Sequence, residues 1–428
     1  MPSTPEPPPL THQKTRIAII GGGAAGFFAA INTAEKNPRA QITIFEAGHR
    51  PLQKVFISGG GRCNLTHRCF DPTRLIEFYP RGQKELRSLF ARFQPKDTVS
   101  WFERRGLKLK AEADGRMFPV SDNSQDVIDL FRRLAQKHGI EVRTQSRVEA
   151  IQQVNGLFEV HNQSAQSQNK MALFDICVIT TGYSPTGWKL AAALGHTVIP
   201  PTPSLFPFTV KNSLLQDLQG IALTKAGGKM RVSLPDSVQK FEAEGPLLIT
   251  HTGLSGPMIY RLSAWGASAL AGSQYKADLQ VDFLPDQTEE NLRQTLTQLF
   301  TVTESKKKLI NLSLAPLPNR LWQALLTESG APLEEKAESV NKKTINRLVE
   351  NLKRCPLQIS GKSPSKEEFV SCGGVVLKEV DFKTMQSRLV PDLYFGGESL
   401  NIDGLTGGFN FQACWSAGWA ISESLKSI

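Results

Sequence analysis

The ordered pattern begins at Arg16 to Ile20, a short apolar run that ends at Gly21-Gly22-Gly23. An Ala-rich stretch, Ala24 to Ala34, follows and reads as a helix. Gln41 to Phe45 reads as a second strand. This strand, helix, strand alternation predicts a parallel sheet. Residues 71–138 read as mostly helical, with Ser124 to Lys137 an amphipathic helix. Glu141 to Ile151, Leu157 to His161 and Phe174 to Thr180 read as strands.

The character changes at Pro200, Pro201, Pro203 and Pro207. From about 205 to 283 the chain is strand-rich, with one helix after Pro257. Residues 287–353 lack strand signals and carry helical spacing, as at Leu321 to Leu326 and Thr344 to Leu352. Leu357 to Ser360 returns a strand, and residues 370–428 resume the αβ pattern, ending in a helix from about Asn410. The expected fold class is α/β, a Rossmann-type domain formed by both chain ends around an insertion. The expected boundaries are 1–14 for a disordered tail, 15–199 and 367–428 for the dinucleotide domain, 200–285 and 354–366 for a β-rich insert, and 286–353 for a helical insert.

Length and composition agree with two or three globular domains: 428 residues, 40% hydrophobic and 21% charged. No apolar run reaches the roughly 18 residues that span a bilayer, and the polar, Pro-rich start does not read as a secretory signal. Six cysteines without a CxxC pair suggest neither a disulfide framework nor a zinc site. These features predict a cytoplasmic protein with free thiols and no metal. The net charge is +10, and residues 74–116 hold 11 Lys or Arg against 6 Asp or Glu. A basic surface favours anionic partners such as nucleotides, coenzyme A esters or RNA. A solvated helix face is the plainer reading of the spacing of Arg87, Arg92 and Lys96, and charge alone favours it.

Three glycine-rich segments carry the chemistry. In the first, Gly21-x-Gly23-x-x-Gly26 leaves a strand and opens a helix. Gly21 allows the tight turn, Gly23 lets backbone approach a pyrophosphate, and Gly26 lets helix and strand pack closely. Ala24 and Ala25 lie in the helix N-terminus, whose free N–H groups suit phosphates. Glu46, twenty residues beyond Gly26, is placed to accept from an adenosine ribose. The second segment is Ser58-Gly59-Gly60-Gly61-Arg62-Cys63-Asn64. Its glycines expose backbone N–H groups and admit a flat ligand, and Arg62 is a cation for a pyrophosphate or a reduced flavin. The third runs from Gly397-Glu398, after the strand at Tyr394-Phe395, to Gly407-Gly408-Phe409-Asn410. Glu398 suits ribityl hydroxyls, and the last helix N-terminus suits the anionic edge of reduced flavin. Their order, fingerprint first and helix-opening glycines last, points to FAD rather than NAD.

These segments, with Gly115-Arg116-Met117-Phe118-Pro119 and Thr250-His251-Thr252-Gly253-Leu254-Ser255-Gly256-Pro257, resemble the BaiN/RdsA-type flavoproteins from about 16 to 425. The resemblance implies an FAD domain, a small β-barrel insert and a helical insert. It also implies reduction or oxidation of a carbon–carbon double bond, on substrates that include bile acids and uridine in ribosomal RNA. At Thr180-Thr181-Gly182-Tyr183 the chain departs from the family's Ala-Thr-Gly-Gly. Thr181 and Gly182 are still placed beside the cofactor. No second GxGxxG follows, so NAD(P)H as electron donor lacks a dedicated domain.

A bound flavin would carry hydride, and the protein would manage one proton. Cys63 is the first candidate acid, since the family motif puts it beside a glycine loop; a small buried residue is the plain alternative. His251 is the second candidate, with a turn-stabilising histidine as its alternative. Trp101 and Phe118 line either a substrate site or the core. Three functions fit: reduction of uridine to dihydrouridine in ribosomal RNA, an ene-reductase or desaturase for a steroid-like or acyl-CoA molecule, and a non-catalytic flavin-bound partner of RNA or ribosome. The first makes 74–116, with Lys306-Lys307-Lys308, the RNA surface.

Overall fold

In the computed structural model, which describes residues 14–164, 167–211, 213–363 and 370–426, the first apolar run is strand β1, Arg16–Ile20. Helix α1 is Ala24–Lys36 and strand β2 is Gln41–Phe45. Strands β3, Glu141–Arg143, β4, Ile176–Ile179, and β5, Leu393–Phe395, complete a parallel sheet ordered β5-β4-β1-β2-β3. Two short antiparallel strands, Gln386–Ser387 and Val380–Asp381, extend it beyond β5. The register puts Ile20 beside Phe45 and Ile179, Ile179 beside Phe395, and Phe45 beside Arg143. All five strands therefore end in one row, and the next residues of each leave the sheet along a single edge.

Ala25 through Ala34 of α1 are buried without interruption, as in a helix covered on all sides. The last helix, α2, is Phe409–Ser424. It crosses α1 so closely that a Cβ on Gly418 would lie 2.9 Å from the Ala29 nitrogen and 3.1 Å from the Ala25 carbonyl. An aromatic cluster closes this layer. Phe28 meets Trp101 at 4.6 Å and Trp415 at 5.3 Å between ring centres. The Trp101 and Trp415 indoles donate to Asn32 Oδ1 and the Leu65 carbonyl, each at 2.9 Å. Trp101 and Phe118 are thus core residues, 4% and 0% exposed.

The structure corrects three secondary-structure expectations. The stretch Glu141 to Ile151 is two strands, β3 and Ser146–Val154, broken where Gln145 takes φ +50°. The second of these joins Leu157–Ser164 and Ser167–Phe174 in an antiparallel meander whose third strand is too polar to show an alternating pattern. Within 71–138, Arg116–Pro119 pairs with Leu109–Ala111 on one side and with Thr66–His67 on the other. These strands are too short to register as a period.

Contacts divide the chain into Met1–Pro201 with Gly373–Ile428, and Thr202–Cys372. The second unit is a closed six-stranded barrel: Phe208–Val210, Gly253–Ser255, Ser237–Ile249, Ala222–Leu234, Ala277–Asp282 and Cys355–Lys362, in that order. Helix Pro257–Trp265 buries Met258, Ile259 and Leu262 against it. Helices Glu289–Gln298, Asn319–Glu328 and Lys342–Arg354 share the barrel's core. Lys353 fastens them, donating to the carbonyls of Leu284 and Gln287 at 2.7 and 2.6 Å and pairing with Asp282 at 2.6 Å. The expected tail lies outside the described residues apart from Lys14, as does the expected boundary at 366/367. Among the described residues no helix is long and apolar enough to cross a membrane.

Candidate functional site

The sheet edge gathers the glycine segments of the first unit. Gly21 follows β1 with φ +111°, and a Cβ there would lie 2.5 Å from the Thr180 carbonyl, so the turn excludes any side chain. Gly26 rests on the Gly21 carbonyl and the Thr180 hydroxyl. Gly23 is the N-cap of α1; nothing lies within 4 Å of where its Cβ would be. No side chain caps this helix and its first turn holds no acid. Its free N–H groups and dipole therefore face open space, which suits an anion.

Glu46 leaves β2 beside that turn. Its carboxylate accepts from the N–H of Gly22 at 3.0 Å and of Gly48 at 2.6 Å. Two backbone donors fix its direction, and spare lone pairs remain for a hydroxyl.

The Ser58 to Asn64 segment ends the helix Gln53–Gly61, which breaks at Ser58 and turns left-handed at Gly59 and Gly60. Nothing lies within 4 Å of a Cβ at Gly60 or Gly61. Asn64, its amide oriented by its partners, donates to the Thr66 carbonyl at 3.1 Å and accepts from the Gly408 N–H at 3.0 Å. It thereby ties the second segment to the third. Arg62 is already engaged. It pairs with Glu112 at 2.6 Å and lies 4.1 Å over the Phe118 ring. The hydrogen bond to Glu112 holds its pKa above the usual guanidinium value. Cys63 is fully buried at φ +61°, and burial pushes its thiol up to about 12 despite a hydrogen bond with Ser58.

Gly397 and Glu398 follow β5. Glu398 pairs with Lys54 at 2.6 Å, and a Cβ on Gly182 would sit 3.7 and 3.9 Å from these two groups. Thr181, Gly182, Lys54 and Glu398 therefore share one wall. Lys54 was not legible in the sequence, because a lysine in a helix ordinarily reads as a solvated surface residue. Gly408 is the N-cap of α2, again with no side-chain cap and no acid in the first turn. Asn410 braces the turn, exchanging hydrogen bonds with Gly404 at 2.8 and 2.9 Å. Phe409 stacks on Phe78 at 4.3 Å and His67 at 4.8 Å. His67 is a second residue that sequence reasoning missed. Burial lowers its pKa, and its Nδ1 is buried with no hydrogen-bond partner.

His251 belongs to the second unit. It is exposed in the turn between Ser237–Ile249 and Gly253–Ser255, which the Thr250 N–H closes on the Gly253 carbonyl at 2.8 Å. Lys306, Lys307 and Lys308 are each paired, with Glu338 at 2.5 Å, Glu304 at 2.7 Å and Glu334 at 2.8 Å. The cationic triplet expected from the sequence is therefore balanced within the fold.

Comparison with known proteins finds relatives of nearly full length, among them the following three. A ribosomal RNA dihydrouridine synthase of Escherichia coli is 28% identical over 95% of this chain and 97% of its own. One of Haemophilus influenzae is 28% identical over 97% and 99%. A 3-dehydro-bile acid delta(4,6)-reductase of Clostridium scindens is 28% identical over 96% and 98%. The family described as HI0933-like protein Rossmann domain matches residues 15–424. A match of that length, on a chain whose fingerprint turn, acid and parallel sheet stand as described, has one meaning: the chain belongs to the HI0933-like Rossmann family.

Proposed function

We propose that this flavin-dependent oxidoreductase uses FAD to reduce a carbon–carbon double bond, with uridine in ribosomal RNA as its substrate and NAD(P)H as donor. The observation that carries the reading is the single sheet edge from which the fingerprint turn, Glu46, Thr181-Gly182 and Gly397-Glu398 all emerge. Ligands of open α/β sheets sit beyond the carboxyl ends of the strands. The open cradle at Gly23, Gly60 and Gly61 fits a dinucleotide.

In this reading Gly21, Gly23, Ala24, Ala25 and Gly26 hold the pyrophosphate at the start of α1, and Glu46 holds the adenosine ribose. Ser58 to Arg62, Asn64, Thr181, Gly182, Gly397 and Glu398 hold the ribityl chain and one face of the ring. Gly407 to Asn410 present the second free helix start to the pyrimidine edge, where it stabilises negative charge. FAD supplies the hydride when bound. Cys63 supplies the proton. Its burial keeps the thiol protonated through the neutral range, so it donates and does not attack. Cys63→Ala is expected to lower turnover about 100-fold while FAD affinity stays the same. Unchanged turnover would remove Cys63 as the acid.

RNA is favoured as substrate by the two synthase relatives and by surface charge. Arg74, Lys84, Arg87, Lys96 and Lys108 are exposed and have no ion-pair partner among the described residues. The bile-acid reductase, equally identical, supports a second reading in which a steroid-like enone is reduced by the same chemistry. The test is reverse transcription of ribosomal RNA after borohydride treatment, which marks dihydrouridine, in a strain lacking this gene. The expected result is loss of one signal, restored by the wild-type gene and not by Gly23→Asp. An unchanged signal overturns the RNA reading and leaves the enone.

A further inference from the structure

We propose that a hollow between helix Gln53–Gly61 and helix Ser124–Lys137 is a nucleotide site: a phosphate held between Arg50 and Arg132, with a base against Phe56. The hollow has a volume of 270 Å³ and is lined by Arg50, Gln53, Phe56, Gln125, Ile128 and Arg132, with Pro51 at its rim. Gln125, Ile128 and Arg132 lie three and four residues apart, so one helix face supplies all three; Gln53 and Phe56 do the same on the facing helix. The walls are fixed to each other. Ser124, itself buried, donates its hydroxyl to the Phe56 carbonyl at 2.8 Å.

Two features of this hollow are left open to solvent. Arg50 and Arg132 are exposed and have no ion-pair partner among the described residues, whereas Arg62, Arg105, Arg116 and Arg143 all meet carboxylates. Phe56 is 43% exposed beside them, and Ile57 next to it is 60% exposed. Paired guanidiniums recognise a phosphate, and an exposed aromatic ring is a stacking surface for a base. Gln125 donates its amide to Asp129 at 2.8 Å, which leaves its carbonyl to accept from a base edge. The volume lies just below the range of about 300–1,000 Å³ usual for ligand pockets, which fits one nucleotide and not a dinucleotide. The hollow shares only the Pro51 wall with the fingerprint turn, the Pro51 Cβ lying 3.3 Å from a Cβ position on Gly22.

The chemistry is the same for a nucleotide within a single-stranded RNA and for a free mononucleotide, and the site does not depend on uridine reduction being the activity. The experiment uses the full chain saturated with FAD, so that the fingerprint site is filled. Binding of a fluorescein-labelled ten-nucleotide oligouridylate is followed by anisotropy, and binding of 5′-AMP and of inorganic phosphate by calorimetry. Arg50→Gln with Arg132→Gln, and separately Phe56→Ala, are compared with Lys240→Gln, an exposed lysine on the barrel. Both hollow variants are expected to weaken nucleotide binding by about tenfold, with Lys240→Gln unchanged. Phosphate is expected to bind more weakly than AMP and to be insensitive to Phe56→Ala. Arg-dependent binding of the oligonucleotide makes RNA the source; Arg-dependent binding of AMP alone makes it a free mononucleotide. The proposal is overturned if neither binds the FAD-loaded protein, if both variants bind as wild type does, or if phosphate binds as tightly as AMP.

Discussion

Two sets of helix starts in this molecule are treated in opposite ways. At Ser124–Lys137, Pro185–Ala193, Glu289–Gln298 and Lys342–Arg354 the chain closes its own helix. Asn123, Ser184, Thr288 and Asn341 accept from the N–H groups of Gln125, Gly187, Asn291 and Thr344 at 3.0, 3.3, 3.2 and 3.0 Å. At α1 and α2 the N-cap is glycine, no side chain caps the turn, and no acid stands in it. A side-chain cap stabilises a helix by about 1 kcal/mol. Two helices at the sheet edge proposed for the cofactor forgo that, and the donors they leave open are the ones an anionic cofactor needs. In the proposed reading the two open ends at this edge serve binding; Pro257–Trp265, whose Gly256 N-cap is equally uncapped, shows that an open end alone does not make a binding site.

The open ends differ most from the closed ones at Gly23. Gly23→Asp adds a carboxylate where a phosphate is expected, in space with no neighbour within 4 Å. FAD affinity should fall by roughly 100-fold or more through charge repulsion and the lost dipole interaction. The melting temperature of the FAD-free protein should not fall, since Asp is itself a favourable N-cap. Equilibrium dialysis and a thermal melt together decide it; a lowered melt with unchanged affinity would mean that the turn is only structural. Glu46→Ala comes next. It removes the proposed ribose acceptor and the partner of two backbone donors, so FAD should bind about tenfold more weakly and stability should drop by about 1 kcal/mol. The same dialysis and a urea titration read both effects.

The difference between these ends was partly visible in the sequence. Gly21-x-Gly23-x-x-Gly26 after an apolar run is local information, and so is an acid twenty residues on. The fold class follows from that and from the αβ pattern at the other end of the chain. What was not visible is which residues become neighbours. Lys54 faces Glu398 across 344 positions of sequence, and Arg62 finds Glu112 across 50. Nothing local distinguishes an arginine awaiting a ligand from one already paired. The same limit hid the short Thr66–His67, Leu109–Ala111 and Arg116–Pro119 sheet, whose strands are held by long-range pairing and not by a period of their own.

A closed end gives the reciprocal prediction. Asn341→Ala leaves the Thr344 N–H without its acceptor, and should cost about 1 kcal/mol of stability in urea. FAD affinity should not move, because this helix lies in the second unit and starts far from any glycine segment in sequence. A change in FAD affinity here would show that helix capping and cofactor binding are not separate in this molecule.

Charge repeats the pattern and gives the smallest effect. Lys306, Lys307 and Lys308 are satisfied by three glutamates, while Arg87 is exposed with no acid partner among the described residues. A cation already paired gains little by meeting a phosphate, since it must give up its carboxylate to do so. An unpaired one releases a counterion from RNA at no such cost. Arg87→Gln should therefore reduce the slope of log binding constant against log salt by about 0.9, and Lys307→Gln should leave the slope unchanged. The measurement is RNA binding by filter retention across a salt series. If Lys307→Gln lowers the slope as much as Arg87→Gln does, then pairing within the fold does not decide which cations touch RNA, and the division between closed and open groups would hold for helix ends alone.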